Sequence, residues 1–237
     1  MRLTRGRIAL AAAGTLVLAA AAFGAVYFTL FNPKAVAAVA LPTPSPLVSA
    51  QSGASPAALG ATWKVAAGSF VGYRVREQLA SLPAPSDAVG RTTTVTGNAR
   101  VSTNADGTAT VSAIDVTADL TRLSSDSARR DNFIQGNTLG TSQFPTTTFV
   151  SSAAFTVQAA VVNGIAGEAT VTGELTVHGV SKDVSIPLKL QRSGNGVNVV
   201  GSYTFKWGDF GVQAPRVPVA SVTGNPTIEI SLVLAPA

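Results

Sequence analysis

The sequence predicts an all-β domain of seven or eight antiparallel strands, folded as a sandwich or as an up-and-down barrel. Three observations carry this. Apolar and polar residues alternate over several long stretches, the period of a strand with one face buried. The 13 prolines and 22 glycines are spread along a chain rich in Thr, Ser, Val and Ala, so turns are frequent and helix signals sparse. Tight-turn pairs, Asn163-Gly164 and Asn195-Gly196, fall between the alternating stretches.

Each element follows from its own segment. Trp63 opens the domain in TWKVAAGSFVGYRVRE, where Phe70, Gly72 and Arg74 share one side of a strand. Val95, Gly97, Ala99 and Val101 alternate with polar neighbours. The next run has apolar Ala109 and Val111, then Ile114, Val116, Ala118 and Leu120, so its phase slips near Ala113 and predicts a bulge there. Residues Leu123 to Pro145 break the alternation. Ser124 or Ser125 can cap a short helix there, with Asp126 in its first turn, giving a helical insertion across one mouth. Phe149, Phe155 and Val157 follow, before the turn at Asn163-Gly164. Val171, Gly173, Leu175 and Val177 alternate with Thr170, Thr172, Glu174, Thr176 and His178, and Val184, Ile186, Leu188 and Leu190 form the returning strand. Val197, Val199, Gly201, Tyr203, Phe205 and Trp207 make the longest uninterrupted alternation, and Ile228, Ile230, Leu232 and Leu234 close the domain. Glycines in apolar phase, Gly97, Gly173 and Gly201, suit the sharply coiled strands of a small barrel.

Charge and cysteine content exclude whole classes of function. The net charge is +5, but Arg2, Arg5, Arg7 and Lys34 contribute +4 in the first 60 residues, where no acidic residue stands. From Ala61 onward 13 Lys and Arg face all 12 Asp and Glu, a net of +1. No basic face remains for nucleic acid. The absence of cysteine removes disulfides, thiol nucleophiles and thiolate metal sites.

The N-terminus predicts the compartment. Ile8 to Phe31 is 24 residues without a charge, enough at ~1.5 Å per residue to span a hydrocarbon core of ~30 Å. Three arginines before it and one lysine after it orient the remainder of the chain outward. Residues 1–7 then form a cytoplasmic basic segment, 8–31 a transmembrane signal anchor, 32–60 a tether rich in Pro, Ser and Ala, and 61–237 the β domain. A cleaved signal peptide, with Ala35, Ala37, Ala38 and Ala40 offering small residues, is the alternative. In both cases the domain lies outside the cytoplasm.

Few residues invite chemistry. His178 is the chain's one histidine. As a catalytic base it needs a nucleophile, an orienting acid and an oxyanion site, and no G-x-S-x-G, cysteine or second histidine accompanies it. It reads as a strand-end residue bonded to a hairpin, or as a polar contact for a ligand head. Arg130 and Asp131 form either a head-group grip or an ion pair and cap that ties the insertion down. The aromatic series Phe149, Phe155, Tyr203, Phe205 and Trp207 lines a cavity or fills a core. The spacings of Asp115, Asp119, Asp126 and Asp131 match no calcium loop.

Four spaced motifs point further. Trp63-Lys64-Val65, Arg130-Asp131 followed by Phe144-Pro145-Thr146-Thr147-Thr148-Phe149, the hairpin GELTVHGVS from Gly173 to Ser181, and Asp209-Phe210-Gly211 stand in order along the chain. Together they resemble the YceI-like family, a lipocalin-like group of exported bacterial proteins. The resemblance implies a lipocalin-like extended antiparallel β-barrel of about eight strands, without catalytic or cofactor sites, whose interior holds a long-chain isoprenoid, quinone or similar amphiphile. Phe149, Phe155, Leu175, Tyr203, Phe205 and Trp207 would then line the ligand, with Arg130, Asp131 and His178 as polar contacts. The chain departs from the family after Asp131, where it reads Asn132-Phe133-Ile134-Gln135-Gly136, and in an apparent insertion from Leu79 to Gly90. Two alternatives differ in kind: an enzyme acting on such a lipid through His178 or Arg130-Asp131, and an adhesive or structural module whose barrel is filled by its own side chains.

The anchor reading predicts that the intact mass of protein recovered from bacterial membranes retains residues 1–31. A mass beginning between residues 36 and 41 would establish cleavage instead.

Overall fold

The computed structural model describes residues 36–42, 60–80, 83–218 and 220–237. The expected anchor at 8–31 lies outside the described residues, and among those described no helix is long and apolar enough to cross a membrane. Residues Val36–Ala237 form one compact unit.

Thirteen strands are described: β1 (Gly60–Val65), β2 (Phe70–Leu79), β3 (Ser86–Thr92), β4 (Val95–Thr103), β5 (Ala109–Asp119), β6 (Thr146–Ser151), β7 (Phe155–Val157), β8 (Gly167–Val177), β9 (Val180–Ser193), β10 (Gly196–Thr204), β11 (Arg216–Val217), β12 (Ala220–Val222) and β13 (Thr227–Pro236). Apart from β11, which pairs only with β12, they reduce to eight staves. β1 and β2 both pair with β13, through Trp63↔Pro236 and Val71↔Ile230, so they are one bent strand. Ser69 mends the break between them: its hydroxyl donates to the Ala66 carbonyl at 2.7 Å and accepts from the Val233 N–H at 2.9 Å. β3 and β4 run beside them in the same way, with Val71↔Thr92 and Lys64↔Asn98. β6 and β7 share β5, and β12 continues β13 along β2. The staves follow chain order, and β1 against β13 closes the ring. The fold is an eight-stranded, closed, antiparallel barrel, which removes the exposed sheet edges that a sandwich would leave.

Local sequence sets the register. The β8–β9 hairpin pairs without interruption from Gly167↔Leu190 to Val177↔Val180. Val171, Leu175, Val177, Val184, Ile186, Leu188 and Leu190 are all buried on its inner face. Its turn is His178-Gly179, both at positive φ (52° and 73°), the conformation a two-residue hairpin requires. The slip near Ala113 is a bulge: pairing jumps from Asn98↔Asp115 to Arg100↔Ser112, and Ala113 takes φ 48°. The amide freed there, Ile114 N–H, donates to Ser151 Oγ at 2.9 Å.

Several boundaries differ from the sequence expectation. The β9–β10 turn is Gly194-Asn195, one residue earlier than Asn195-Gly196, because Ser193 pairs with Gly196. Asn163 and Gly164 end a short helix, α2 (Ala159–Val162), instead of joining two strands directly. The alternating run stops at Thr204, and Trp207 starts a single 3-10 turn, Trp207–Phe210. Residues 86–90 of the apparent insertion belong to β3, so the connection is shorter than Leu79 to Gly90. The helical insertion begins later too. Its helix α1 (Ala128–Phe133) is capped by Ser127, since Ser125 is held by Asp131. A π-helical turn, Ile134–Thr138, continues it.

Outside the barrel a charged cluster sits under part of the 32–60 segment. Glu229, buried at 2% exposure, accepts from Arg74 Nε at 2.6 Å and Arg91 Nη2 at 3.2 Å. Arg91 also lies over the Phe70 ring, 4.4 Å from its centroid. The same two arginines donate to the Ala37 carbonyl, at 3.0 and 3.3 Å. Residues 36–42 therefore lie against the barrel wall, without helix or strand.

Close approach at Gly173 is a testable feature of this packing: a Cβ there would stand 2.3 Å from the Val150 carbonyl oxygen and 2.7 Å from the Phe149 ring. Gly173→Ala is expected to lower stability in urea unfolding by about 1–3 kcal/mol through overpacking against backbone. Phe210→Ala, which empties a fully buried ring site, should cost more, about 3–5 kcal/mol.

Candidate functional site

The inward residues of the staves do not fill the barrel. They enclose a cavity of about 240 Å³, far beyond the ~10–15 Å³ that admits one water. Its walls are Val, Ile, Leu and aromatic side chains from nearly every stave, from Val65, Leu234 and Arg192 at one end to Trp207, Val212 and Leu139 at the other. Such a wall offers a polar molecule almost no partners and favours hydrocarbon.

Six residues singled out from sequence meet on this lining. Phe149 and Leu175 face each other across β6 and β8. Phe155, Tyr203, Phe205 and Trp207 complete the set. Tyr203 and Phe205 stack at 6.3 Å, and Phe205 meets the edge of Phe210 at 5.0 Å. The Trp207 indole is oriented by a bond from Nε1 to the Gly224 carbonyl at 3.0 Å.

Three other residues do not reach it. His178 occupies the β8–β9 turn, and its ring packs against Phe144 at 4.5 Å. Arg130 donates to Glu77 at 2.6 Å and also pairs with Asp126. Burial acts to lower the Arg130 pKa, but the Glu77 carboxylate and the Asp126 bond outweigh it and hold the guanidinium charged. Asp131 accepts from the Ser125 hydroxyl at 2.6 Å and from its amide at 3.1 Å. The pair thus ties the insertion to β2 and shapes its own loop.

Three of the four motifs converge on one barrel end, and Trp63-Lys64-Val65 lies toward the other. A Cβ on Gly179 would lie 2.5 Å from the Phe144 ring, so that ring rests on the turn backbone. Gly211, at φ 67°, packs within reach of His178 and Val180. The Lys206 amide donates to Asp209 at 2.8 Å, which fixes the 3-10 turn and drives Phe210 into the core at 0% exposure. The physical role of these residues is to lock three loops together.

Sequence reading missed Tyr73. It lines the cavity, and its hydroxyl is buried with no hydrogen-bond partner. Burial pushes the phenol pKa far up, with Arg130 opposing and Asp131 and Glu77 adding to the rise. The signal was present: Val71, Tyr73 and Val75 alternate against Phe70, Gly72, Arg74 and Arg76. Two arginines in one phase mark the other as inward.

Comparison with known proteins agrees with this architecture. A model of the YceI-like domain matches residues 63–234. The chain belongs to the YceI-like family. Among solved structures it is similar to a polyisoprenoid binding domain from Saccharophagus degradans implicated in plant cell wall breakdown. That match has 18% identity and a TM-score of 0.52 over 74% of this chain and 99% of the other. It is also similar to BcnA of Burkholderia cenocepacia, at 20% identity and TM-score 0.50, over 70% and 95% of the two chains. At these identities the two structures establish the fold alone. No curated protein matches the chain.

Tyr73 generates a pH prediction. Its folded pKa lies above the ~10 of a free phenol, so the neutral form's contribution is complete below pH ~10 and is lost as pH rises beyond it. Urea midpoints should fall between pH 9 and 11, and Tyr73→Phe should flatten that fall. Because the hydroxyl has no partner, Tyr73→Phe at pH 7 should be neutral or stabilising.

Proposed function

We propose that this protein binds a long-chain isoprenoid, or a similar amphiphilic lipid such as a quinone, inside its barrel, without catalysis and outside the cytoplasm. The observation that carries the reading is the cavity, a space of about 240 Å³ walled by aliphatic and aromatic side chains along the barrel. Burial of each methylene contributes ~0.8 kcal/mol, so ten contribute about 8 kcal/mol before the cost of ordering the tail. The binding named for the Saccharophagus degradans domain is consistent with it.

The two alternatives fare less well on particular residues. A lipid-modifying enzyme would need polar groups at the cavity, yet His178, Arg130 and Asp131 are engaged with their own chain. A structural module filled by its own side chains would need a closed interior, against which the open volume argues. An anchor at 8–31 would hold the barrel beside the membrane from which a lipid is drawn.

Native mass spectrometry of the full-length protein from bacterial membranes, followed by organic extraction, tests the reading. A stoichiometric isoprenoid or quinone adduct is expected. A bare mass that persists after incubation with polyprenyl lipids and quinones would overturn it.

A further inference from the structure

One charged side chain stands on the cavity wall among the described residues, and it is Arg192. It continues the inward phase of β9 after Ile186, Leu188 and Leu190, and pairs in register with inward Val197. Four described arginines are half-buried: Arg74, Arg91, Arg130 and Arg192. The first three each meet a carboxylate, Glu229 or Glu77. Arg192 meets none. All 12 Asp and Glu of the chain lie among the described residues, so no acidic side chain of its own chain is left to neutralise it.

Carbonyls hold it instead. Arg192 Nη1 donates to the Val162 carbonyl at 3.2 Å, at the last residue of α2, and Nε donates to the Gly194 carbonyl at 3.3 Å, in the β9–β10 turn. These two bonds fix the guanidinium plane across the end of the barrel. A guanidinium has five N–H donors. Both Nη2 hydrogens and one on Nη1 remain, in the fork geometry that fits a carboxylate or phosphate.

We infer that Arg192 is the head-group site of the barrel, and that the ligand it selects is an acidic amphiphile, a carboxylate or phosphate on an isoprenoid-type tail. The inference rests on the proposal that the barrel carries a lipid, and specifies its chemistry and direction. An alcohol or quinone carbonyl can accept one bond there but leaves the charge uncompensated. With the head at Arg192 the tail runs along β10 from Val197 past Tyr203 to Phe205, about 26 Å at ~3.3 Å per residue. Its far end then reaches Trp207 at the opposite end of the cavity.

The test compares three tritiated probes that share one tail: geranylgeraniol, geranylgeranoic acid and geranylgeranyl phosphate. Each is titrated against the full-length protein in zwitterionic nanodiscs, with empty nanodiscs subtracted. The acid and the phosphate should bind at least about tenfold more tightly than the alcohol, the scale of one charge-assisted hydrogen bond. Arg192→Leu should bring the three affinities together, and Arg192→Lys should keep part of the preference. Excess inorganic phosphate should not displace the acid, since the tail supplies most of the binding. Equal affinity of all three probes for the unaltered protein would overturn the Arg192 assignment and leave lipid carriage standing. Displacement by inorganic phosphate would also overturn it, in favour of a free-anion site. Binding of none of the three would remove the carrier reading itself.

Discussion

The pairing of β1 with β13 is the constraint on which the rest of the molecule depends. Without it the same staves would form an open sheet with two exposed edges, and the inward side chains would enclose nothing. Closure also sets the diameter. An eight-stranded ring leaves just enough room for side chains or for one slender ligand. Which of these applies is decided by side-chain size along the wall, where Ala99, Ala109 and Ala118 stand among larger aliphatics.

A closed tube needs its ends defined, and the two ends of this one are built differently. At one end Phe144, the His178-Gly179 turn and the Trp207–Phe210 turn interlock, with Phe210 wholly buried. Beside them the insertion is held to β2 by Arg130 and Glu77. At the other end α2 and the β9–β10 turn present carbonyls to Arg192. Apolar packing closes the first end and leaves an unpartnered phenol hydroxyl, Tyr73, inside it. Backbone dipoles steady an uncompensated charge at the second. That asymmetry gives the cavity a polarity along its length, which an apolar wall alone would not provide.

The outer surface obeys a different rule. Glu229 is buried on the outside of the barrel, where a lone carboxylate would be costly, and two arginines compensate it. Those arginines have donors to spare, and the Ala37 carbonyl uses them. A stretch with no period of its own thereby acquires a fixed place on the wall.

The sequence by itself determined the strand alternation, the bulge at Ala113 and the inward aromatic set of Phe149, Phe155, Tyr203 and Phe205, because each depends on a period of two and on neighbours a few residues away. The family motifs were equally legible. Tertiary structure decided everything that rests on distant partners. Seven or eight staves read the same in a sandwich and in a barrel until Trp63 is seen beside Pro236. Ser124 and Ser125 read as the cap from local sequence, until Asp131 is seen to hold Ser125 and Ser127 to cap the helix. His178, Arg130 and Asp131 have the chemistry of a site, but their partners, Phe144, Glu77 and Ser125, draw them away from the cavity. Arg192 and Tyr73 sit in ordinary strand segments, and only closure of the ring shows which of their possible partners are missing.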